Sequence, residues 1–146
     1  MSYILMERLN LKMTDLEFVK NRLYETNASL VVLYQDGICK EYFNKRIIDI
    51  KSILNENKNA LRNAVIADKV IGKLPASLLS FAEVKEIYAD TISEYAIPVL
   101  EKYNVKYEYK TKTEYIQNND KTGMCPMENK YKDESDIEKI FKEVIG

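Results

Sequence analysis

The sequence predicts a single α/β domain built around a mixed β-sheet. The chain has 146 residues, which is the usual length of one domain. A strong turn signal in the first third of the chain predicts an antiparallel hairpin, and strand and helix patterns alternate after it. Strands that alternate with helices are typical of parallel pairing, so we expect a sheet with both kinds of strand pair, flanked by helices.

The first helix should begin at about Thr14 and end at about Glu25. Thr14 and Glu17 have the spacing of a capping box, in which each side chain accepts a hydrogen bond from a free backbone amide at the helix start. Residues 1–12 are interpreted as an N-terminal extension of the domain.

The next segment predicts a β-hairpin. Two short runs rich in Val, Leu, Tyr and Phe, residues 29–35 and 38–43, are separated by Asp36 and Gly37. Asp-Gly is a strong signal for a two-residue turn, because such turns need positive φ angles. A short helix over residues 47–54 is expected to follow the hairpin.

A strand-turn-helix unit is predicted in the middle of the chain. Residues 64–67 suit a strand, Asp68 suits the N-cap of a helix, and residues 69–80 have apolar spacing compatible with that helix. Gly72 and Pro75 disturb the pattern, because glycine weakens a helix interior and proline clashes with a preceding carbonyl. We therefore expect either a kink or a helix that begins later.

A second unit of the same kind follows. Residues 84–89 form a short apolar run of the buried-strand type. Thr91 and Glu94 have capping-box spacing, which predicts a helix from about Ser93 to Tyr103.

The last third of the chain predicts an edge strand, a loop and a helix. Tyrosine and charged residues alternate over residues 105–109, the period-2 pattern of a strand near a sheet edge. Residues 117–132 are polar and suit a loop, and the C-terminal helix is expected within residues 133–146. The apolar face of that helix consists of Ile137, Ile140, Phe141 and Val144.

Composition argues against nucleic acid and membranes as partners. Twenty-two basic and 23 acidic residues give a net charge of −1, so the long-range field that gathers nucleic acid is missing. The longest apolar stretches are shorter than the roughly 20 residues that a membrane helix needs, and Met1–Met6 lacks the features of a signal peptide. We expect a cytoplasmic protein in which Cys39 and Cys125 stay reduced.

Two segments resemble the signatures of a small prokaryotic family, a domain of unknown function within the cytidine-deaminase-like superfamily. They are residues 61–73 (LRNAVIADKVIGK) and residues 118–128 (NNDKTGMCPME), and the similarity covers about residues 29–128. The resemblance implies a cytidine-deaminase-like layered fold with its core over residues 29–128. It also implies the position of a pocket, but no reaction, because the family has none assigned.

The zinc chemistry of that superfamily is not expected here. A zinc deaminase needs a His or Cys beside a Glu at one helix start and two Cys at the next. The chain contains no histidine, and neither cysteine lies at either predicted helix start, around Asp68 and Thr91. We therefore expect no metal site of the deaminase type and no cofactor. The same absence of histidine excludes Ser-His-Asp and Cys-His catalysis within one chain.

Cys125 and Glu128 are the first candidate site residues. Pro126 suits the first position of a helix, and a glutamate at its third position complements the positive end of the helix dipole. A helix start favours the thiolate form of a cysteine, so Cys125 is the best candidate nucleophile, or it forms half of a weak metal site with Glu128. The alternative is a tight turn that holds a half-buried thiol and a capping glutamate.

Asp68, Lys69 and Lys73 form a second candidate group, since helix N-termini gather anions. Lys69 and Lys73 are four residues apart, so on a helix they could lie on one face and bind a phosphate. The alternative makes Asp68 an N-cap and both lysines solvated surface groups. Gly72 between them could allow the close approach of a ligand or another part of the chain.

Ser93 and Glu94 form a third candidate group beyond the end of a strand, where open α/β sheets bind ligands. Glu94 could act as a general base, or it could serve only as the capping partner of Thr91. The 11 tyrosines could stack on bases, although core and interface packing explains them as well.

Three functions remain open at this point. The first is a protein that binds a small anionic or nucleotide-like metabolite, with Cys125, Glu128 and Glu94 as candidate catalytic residues and Asp68, Lys69, Lys73 and Ser93 as candidate ligand-binding residues. The second is a non-catalytic domain with a decayed site that serves oligomerisation or a protein partner. The third, nucleic-acid binding by tyrosines and a lysine patch, is disfavoured by the net charge.

Overall fold

A computed structural model describes residues 13–45 and 47–146, so the predicted extension over residues 1–12 lies outside the described residues. Within them the chain forms six helices and five strands. In order they are α1 (Asp15–Thr26), β1 (Leu30–Leu33), β2 (Cys39–Tyr42), α2 (Ile48–Glu56), β3 (Val65–Ile71), α3 (Lys73–Phe81), β4 (Glu86–Ser93), α4 (Ile97–Lys102), β5 (Lys106–Thr113), α5 (Pro126–Tyr131) and α6 (Ile137–Val144).

The five strands form one mixed sheet in the order β2-β1-β3-β4-β5. Strand β1 is antiparallel to both of its neighbours, whereas β3, β4 and β5 run parallel to one another. The prediction of a mixed sheet that begins with a hairpin is therefore confirmed. The hairpin turn forms as its sequence demands, with Gly37 at a φ of 93° and the Asp36 carboxylate accepting a hydrogen bond from the Ile38 amide.

Helices pack on both faces of the sheet. Helix α1 covers one face, where Phe18, Val19 and Leu23 contact Val31 and other side chains of the strands. The apolar sides of the five later helices pack on the other face, where the larger core lies. Strand β1 contributes side chains to both cores, which explains why its four residues are all apolar and buried.

The middle of the chain differs from the prediction. Strand β3 continues to Ile71, so Asp68 is a strand residue and not an N-cap, and Lys69 is not on a helix. Helix α3 begins only at Lys73, after Gly72. The pairing of β3 with both β1 and β4 hydrogen-bonds its backbone on two sides, and this outweighs the local helix signal.

Pro75 causes no kink, because it occupies the first turn of α3. The amides of a first turn have no partner within the helix, so a residue without an N–H loses nothing there. Of the two alternatives predicted, a kink or a later helix start, the later start is therefore the one observed.

The next unit also begins its helix later than predicted. Strand β4 extends to Ser93, and α4 begins at Ile97 with Pro98 in its first turn. Thr91 pairs with Val70 in the sheet, so the expected capping box of Thr91 and Glu94 does not form. Pairing with β3 and β5 keeps this segment extended.

The other helices and strands predicted within the described residues are confirmed with small changes. The capping box of Thr14 and Glu17 forms, and β5 lies at a sheet edge. The predicted loop contains the short helix α5, which begins at Pro126. None of the described helices is long and apolar enough to cross a membrane.

Candidate functional site

The candidate site lies where the three parallel strands end. Ile71, Ser93 and Thr113 are the last residues of β3, β4 and β5. Because these strands run parallel, their carboxyl ends meet at one edge of the sheet, the edge at which open α/β sheets bind ligands. The start of α3 adds the positive end of a helix dipole to this edge.

The carboxylate of Glu128 fills this position. Its Oε1 atom accepts a hydrogen bond of 2.6 Å from the backbone N of Lys73 and one of 3.2 Å from Ser93 Oγ. Its Oε2 atom accepts a bond of 2.6 Å from the backbone N of Ile116. Only 2% of Glu128 is exposed, so donors from three separate segments hold a carboxylate away from solvent.

Gly72 makes room for this carboxylate. A Cβ atom built on Gly72 would lie 2.7 Å from Oε1 of Glu128 and 2.8 Å from Cγ1 of Ile116, closer than non-bonded atoms tolerate. Gly72 is the N-cap of α3, yet no side chain from its own segment caps the helix. Glu128 therefore caps α3 from 55 residues away in sequence.

Lys73 is buried beside the same contact. Its side chain donates a hydrogen bond of 3.2 Å from Nζ to the backbone O of Lys132, just after α5, and only 7% of the residue is exposed. Burial lowers the pKa of Lys73, while the nearby carboxylates of Asp133, Glu134 and Glu128 oppose that change. The ammonium thus helps to hold α5 in place.

Asp68 and Lys69 lie away from this site, on opposite faces of the sheet. Asp68 lies opposite Leu30 on the face of the larger core and is 8% exposed. Lys69 reaches the other face, where its Nζ lies 2.7 Å from Asn27 Oδ1 at the end of α1. The expected common helical face of Lys69 and Lys73 is therefore wrong, because β3 runs through position 69.

Asp68 belongs instead to a buried carboxylate pair with Asp49 of α2. Burial raises the pKa of Asp68 to about 7, hydrogen bonds from the Val70 and Lys69 amides oppose the rise, and the Asp49 charge adds to it. Asp49 is 7% exposed and accepts hydrogen bonds from the backbone N and Nδ2 of Asn44. The sequence analysis missed Asp49, which had no signal beyond an acidic residue in an amphipathic helix.

The other candidates divide between the site and the surface. Ser93 is fully buried and reaches Glu128, but Glu94 is exposed and its amide bonds to the Thr113 carbonyl. Cys125 is the half-buried N-cap of α5, with its amide 2.7 Å from the Ile116 carbonyl. The convergence of Lys73, Ser93 and the Cys125–Glu128 turn was predicted, whereas the Ile116 amide carries no signal in the sequence.

The residues at the helix starts do not fit a zinc ion of the deaminase type. Helix α3 begins with Gly72 and Lys73, and α4 begins with Ala96 and Ile97, none of which has a side chain that binds zinc as a thiolate or imidazole. Across residues 13–45 and 47–146, no group of three His, Cys, Asp or Glu side chains is arranged to hold a metal ion.

Two surface depressions lie outside this site. One of about 350 Å³ lies at the opposite edge of the sheet and includes Leu33, Gly37, Asn63 and Lys85 in its lining. The other, of about 390 Å³, lies along the exposed side of α6. Neither is lined by Lys73, Ser93 or Glu128.

The family model for TM1506, described as a domain of unknown function (DUF1893), matches residues 18–145. The chain belongs to the DUF1893 family. This confirms the predicted membership of a family of unknown function. No curated protein matches the chain.

A solved structure supports the fold of this DUF1893 protein. The crystal structure of a DUF1893 family protein, TM1506 from Thermotoga maritima, matches with a TM-score of 0.79 and 23% sequence identity. The match covers 91% of this chain and 90% of the Thermotoga chain. At this identity the likeness concerns the fold alone.

Proposed function

We propose that this DUF1893 protein is a non-catalytic protein-interaction domain whose ligand position is occupied by its own Glu128. In this proposal the chain keeps a cytidine-deaminase-like layered fold without the chemistry of that superfamily. One observation carries it: the Glu128 carboxylate takes the hydrogen bonds of the Lys73 amide, the Ile116 amide and the Ser93 hydroxyl. These are the donors that an anionic substrate at this edge would need.

The strength of these contacts supports a site that the Glu128 carboxylate keeps occupied and that therefore excludes an external ligand. A hydrogen bond to a charged group contributes about 1.5–3 kcal/mol when it is well formed. An external anion must replace three such bonds and also displace α5, which Lys73 holds through the Lys132 carbonyl. An intramolecular carboxylate has no translational entropy to lose on binding, so it has the advantage over a free ligand.

A ligand panel tests this proposal by thermal denaturation. We expect nucleotides, sugar phosphates and small carboxylic acids at millimolar concentration to leave the melting temperature of the wild-type protein unchanged. The same panel applied to Glu128→Ala shows whether an emptied site accepts carboxylates. A compound that raises the melting temperature of the wild-type protein, and no longer does so in Lys73→Ala, would contradict the proposal.

The second candidate function is the binding of a small anionic metabolite at this edge. The observation that favours it is the fit of the site to a carboxylate, with a buried lysine beside it. For this function Glu128 would have to leave the site when the ligand enters. The same panel decides between the two functions.

A further inference from the structure

Strand β5 presents an open edge of the sheet. It is eight residues long, and within the described part of the chain it pairs with β4 on one side only. Strand β2, at the opposite edge, has four residues. The outer backbone of a long edge strand offers amides and carbonyls to a further strand, and proteins usually shorten or cover such an edge.

The two sets of side chains on β5 differ in chemistry. Lys106, Glu108, Lys110 and Lys112 alternate with Tyr107, Tyr109, Thr111 and Thr113 along the strand. Because Glu108 pairs with Tyr88, which packs in the core beneath α1, Lys106, Glu108 and Lys110 lie on the α1 face of the sheet, and Lys110 Nζ lies 6.0 Å from the centre of the Tyr24 ring of α1. Lys112 pairs with Ile92 of the larger core and therefore lies on the other face.

Tyr107 and Tyr109 lie on the face of the larger core. Tyr107 pairs with Ile87 of the larger core, and its hydroxyl donates to a carboxylate oxygen of Glu101. The rings of Tyr107 and Tyr109 are nearly parallel, with centroids 6.3 Å apart. Tyr109 is 41% exposed, so this apolar face of the edge strand is only partly covered.

We propose that the outer edge of β5 binds an extended acidic segment of a partner protein, which adds to the sheet as a sixth strand. This inference rests on the proposed interaction function and names its surface. The partner places acidic side chains on the α1 face beside Lys106 and Lys110, and apolar or aromatic side chains on the other face beside Tyr109. Backbone hydrogen bonds supply affinity, and the alternating side chains supply specificity.

Charge explains why the occupant is acidic. Three lysines and one glutamate give the strand an excess of two positive charges. Like charges directly opposite each other in neighbouring strands are destabilising, whereas opposite charges stabilise the pair. If two copies pair antiparallel about Tyr109, Lys106 of each faces Lys112 of the other, but Glu108 faces Lys110, so the repulsive and attractive pairs offset each other. An acidic strand forms attractive pairs with the lysines and is therefore favoured over a second copy.

The backbone explains why the occupant is a peptide and not a nucleic acid. The unpaired edge presents amides and carbonyls at the spacing of a β-strand, which only another extended peptide matches along its length. A nucleic acid would use the lysines alone, and the net charge of the chain is −1.

Binding of a labelled synthetic peptide to the full-length protein tests this inference. The probe is an eight-residue peptide in which Glu alternates with Val, followed by fluorescence anisotropy. We expect Lys106→Glu/Lys110→Glu to weaken binding at least about tenfold, since two favourable cross-strand pairs on the α1 face become repulsive. The matched control, Lys51→Glu/Lys85→Glu, changes the same net charge at exposed lysines of other segments and should bind as the wild type does.

A second probe separates strand addition from charge attraction without any change to the protein. The same peptide with N-methyl groups on every residue keeps its charge but cannot donate backbone hydrogen bonds along either edge, so we expect its binding to be lost. Equal binding of both peptides would overturn the inference, as would equal weakening by the two double variants. Self-association through β5, or binding of single-stranded RNA in place of the peptide, would overturn it too.

The two proposals fail in different experiments. A metabolite that raises the melting temperature contradicts the closed site at Glu128 and leaves the peptide measurement unaffected. An absence of peptide binding, with no metabolite found, contradicts the β5 surface alone.

Discussion

Single residues decide the chemistry of the site at the carboxyl edge of the sheet. Glu128 supplies a negative charge that is buried, capped by backbone amides and placed at the start of α3. Gly72 permits this contact because it has no Cβ. Asp68 lies outside the site and is also buried, and its protonation should affect the stability of the protein.

Glu128→Ala should lower the free energy of unfolding by about 2–5 kcal/mol. The substitution leaves the Lys73 and Ile116 amides buried without an acceptor, and each such group costs about 1–3 kcal/mol. Urea denaturation measures the change. Glu138→Ala, on the exposed side of α6, serves as the control and should stay within about 0.5 kcal/mol of the wild type. A loss below about 1 kcal/mol for Glu128→Ala would contradict a structural role for this contact.

Gly72→Ala should destabilise the protein by about 1–3 kcal/mol, because the new methyl group overlaps the Glu128 carboxylate. The penalty should be smaller in a Glu128→Ala background, where one of the two overlapping groups is gone, and the contact with Ile116 should account for what remains. A double-mutant cycle in urea measures this coupling. Strictly additive effects of the two substitutions would mean that residues 72 and 128 do not compete for the same space.

Asp68 should make the protein less stable as the pH rises from about 4 to about 7. Its folded pKa of about 7 lies above the unfolded value of about 3.9, so the folded state binds the extra proton in this window. The contribution of Asp68 to the free energy of unfolding therefore falls as the pH rises. The stabilisation is fully present below the unfolded pKa and is lost as the pH rises through the folded pKa.

Asp68→Asn should remove that part of the slope and raise the stability at pH 8, by up to about 4 kcal/mol. Urea denaturation at pH 5 and pH 8 measures the effect. The exposed Asp120→Asn provides the control and should leave the slope unchanged. If the free energy of unfolding of the wild type and of Asp68→Asn changed with pH in parallel, the Asp68 carboxyl would have the same pKa in the folded and unfolded states, which would contradict this prediction.

At the scale of elements, local signals and sheet pairing compete. The capping box before α1 and the Asp36-Gly37 turn are confirmed because their hydrogen bonds lie within a few residues of sequence. The helix signal after Asp68 failed because β3 gains partners on both sides from strands far away in the chain. The same competition removed the capping box expected at Thr91.

Thr14→Ala should cost about 1 kcal/mol of stability, because the Glu17 amide loses its acceptor at the start of α1. Thr14→Ser keeps a hydroxyl and should stay close to the wild type, which separates the cap from other effects of the position. Chemical denaturation followed by circular dichroism gives both values. Equal losses in the two variants would contradict the role of the hydroxyl.

At the scale of the whole molecule, Glu128 fills the carboxyl ends of the parallel strands, and the outer edge of β5 has no partner strand among the described residues. Both features follow from where the chain after β5 travels, because it returns across the carboxyl edge to form α5 and not along the outside of β5.

Cys125→Ser should leave the fold and the peptide binding intact. In a non-catalytic domain the residue serves as the N-cap of α5 through its backbone, which serine reproduces. We expect a shift in melting temperature of no more than about 3 °C, equivalent to a small change in stability for a chain of this size. Complete loss of peptide binding in Cys125→Ser, with the fold retained, would contradict a purely structural role for the Cys125 side chain.

The sequence alone determined the α/β class, the hairpin, the first and last helices and the edge position of β5, because these depend on contacts between neighbours or on the period of apolar residues. It also predicted that Lys73, Ser93 and Glu128 lie close together, and their hydrogen bonds show this contact, while their functional roles stay a prediction. Only the tertiary structure decided that Glu128 fills that site and that Asp68 and Lys69 point away from it. Those outcomes depend on strand pairing and on the Ile116 amide, a backbone group whose position no residue type encodes.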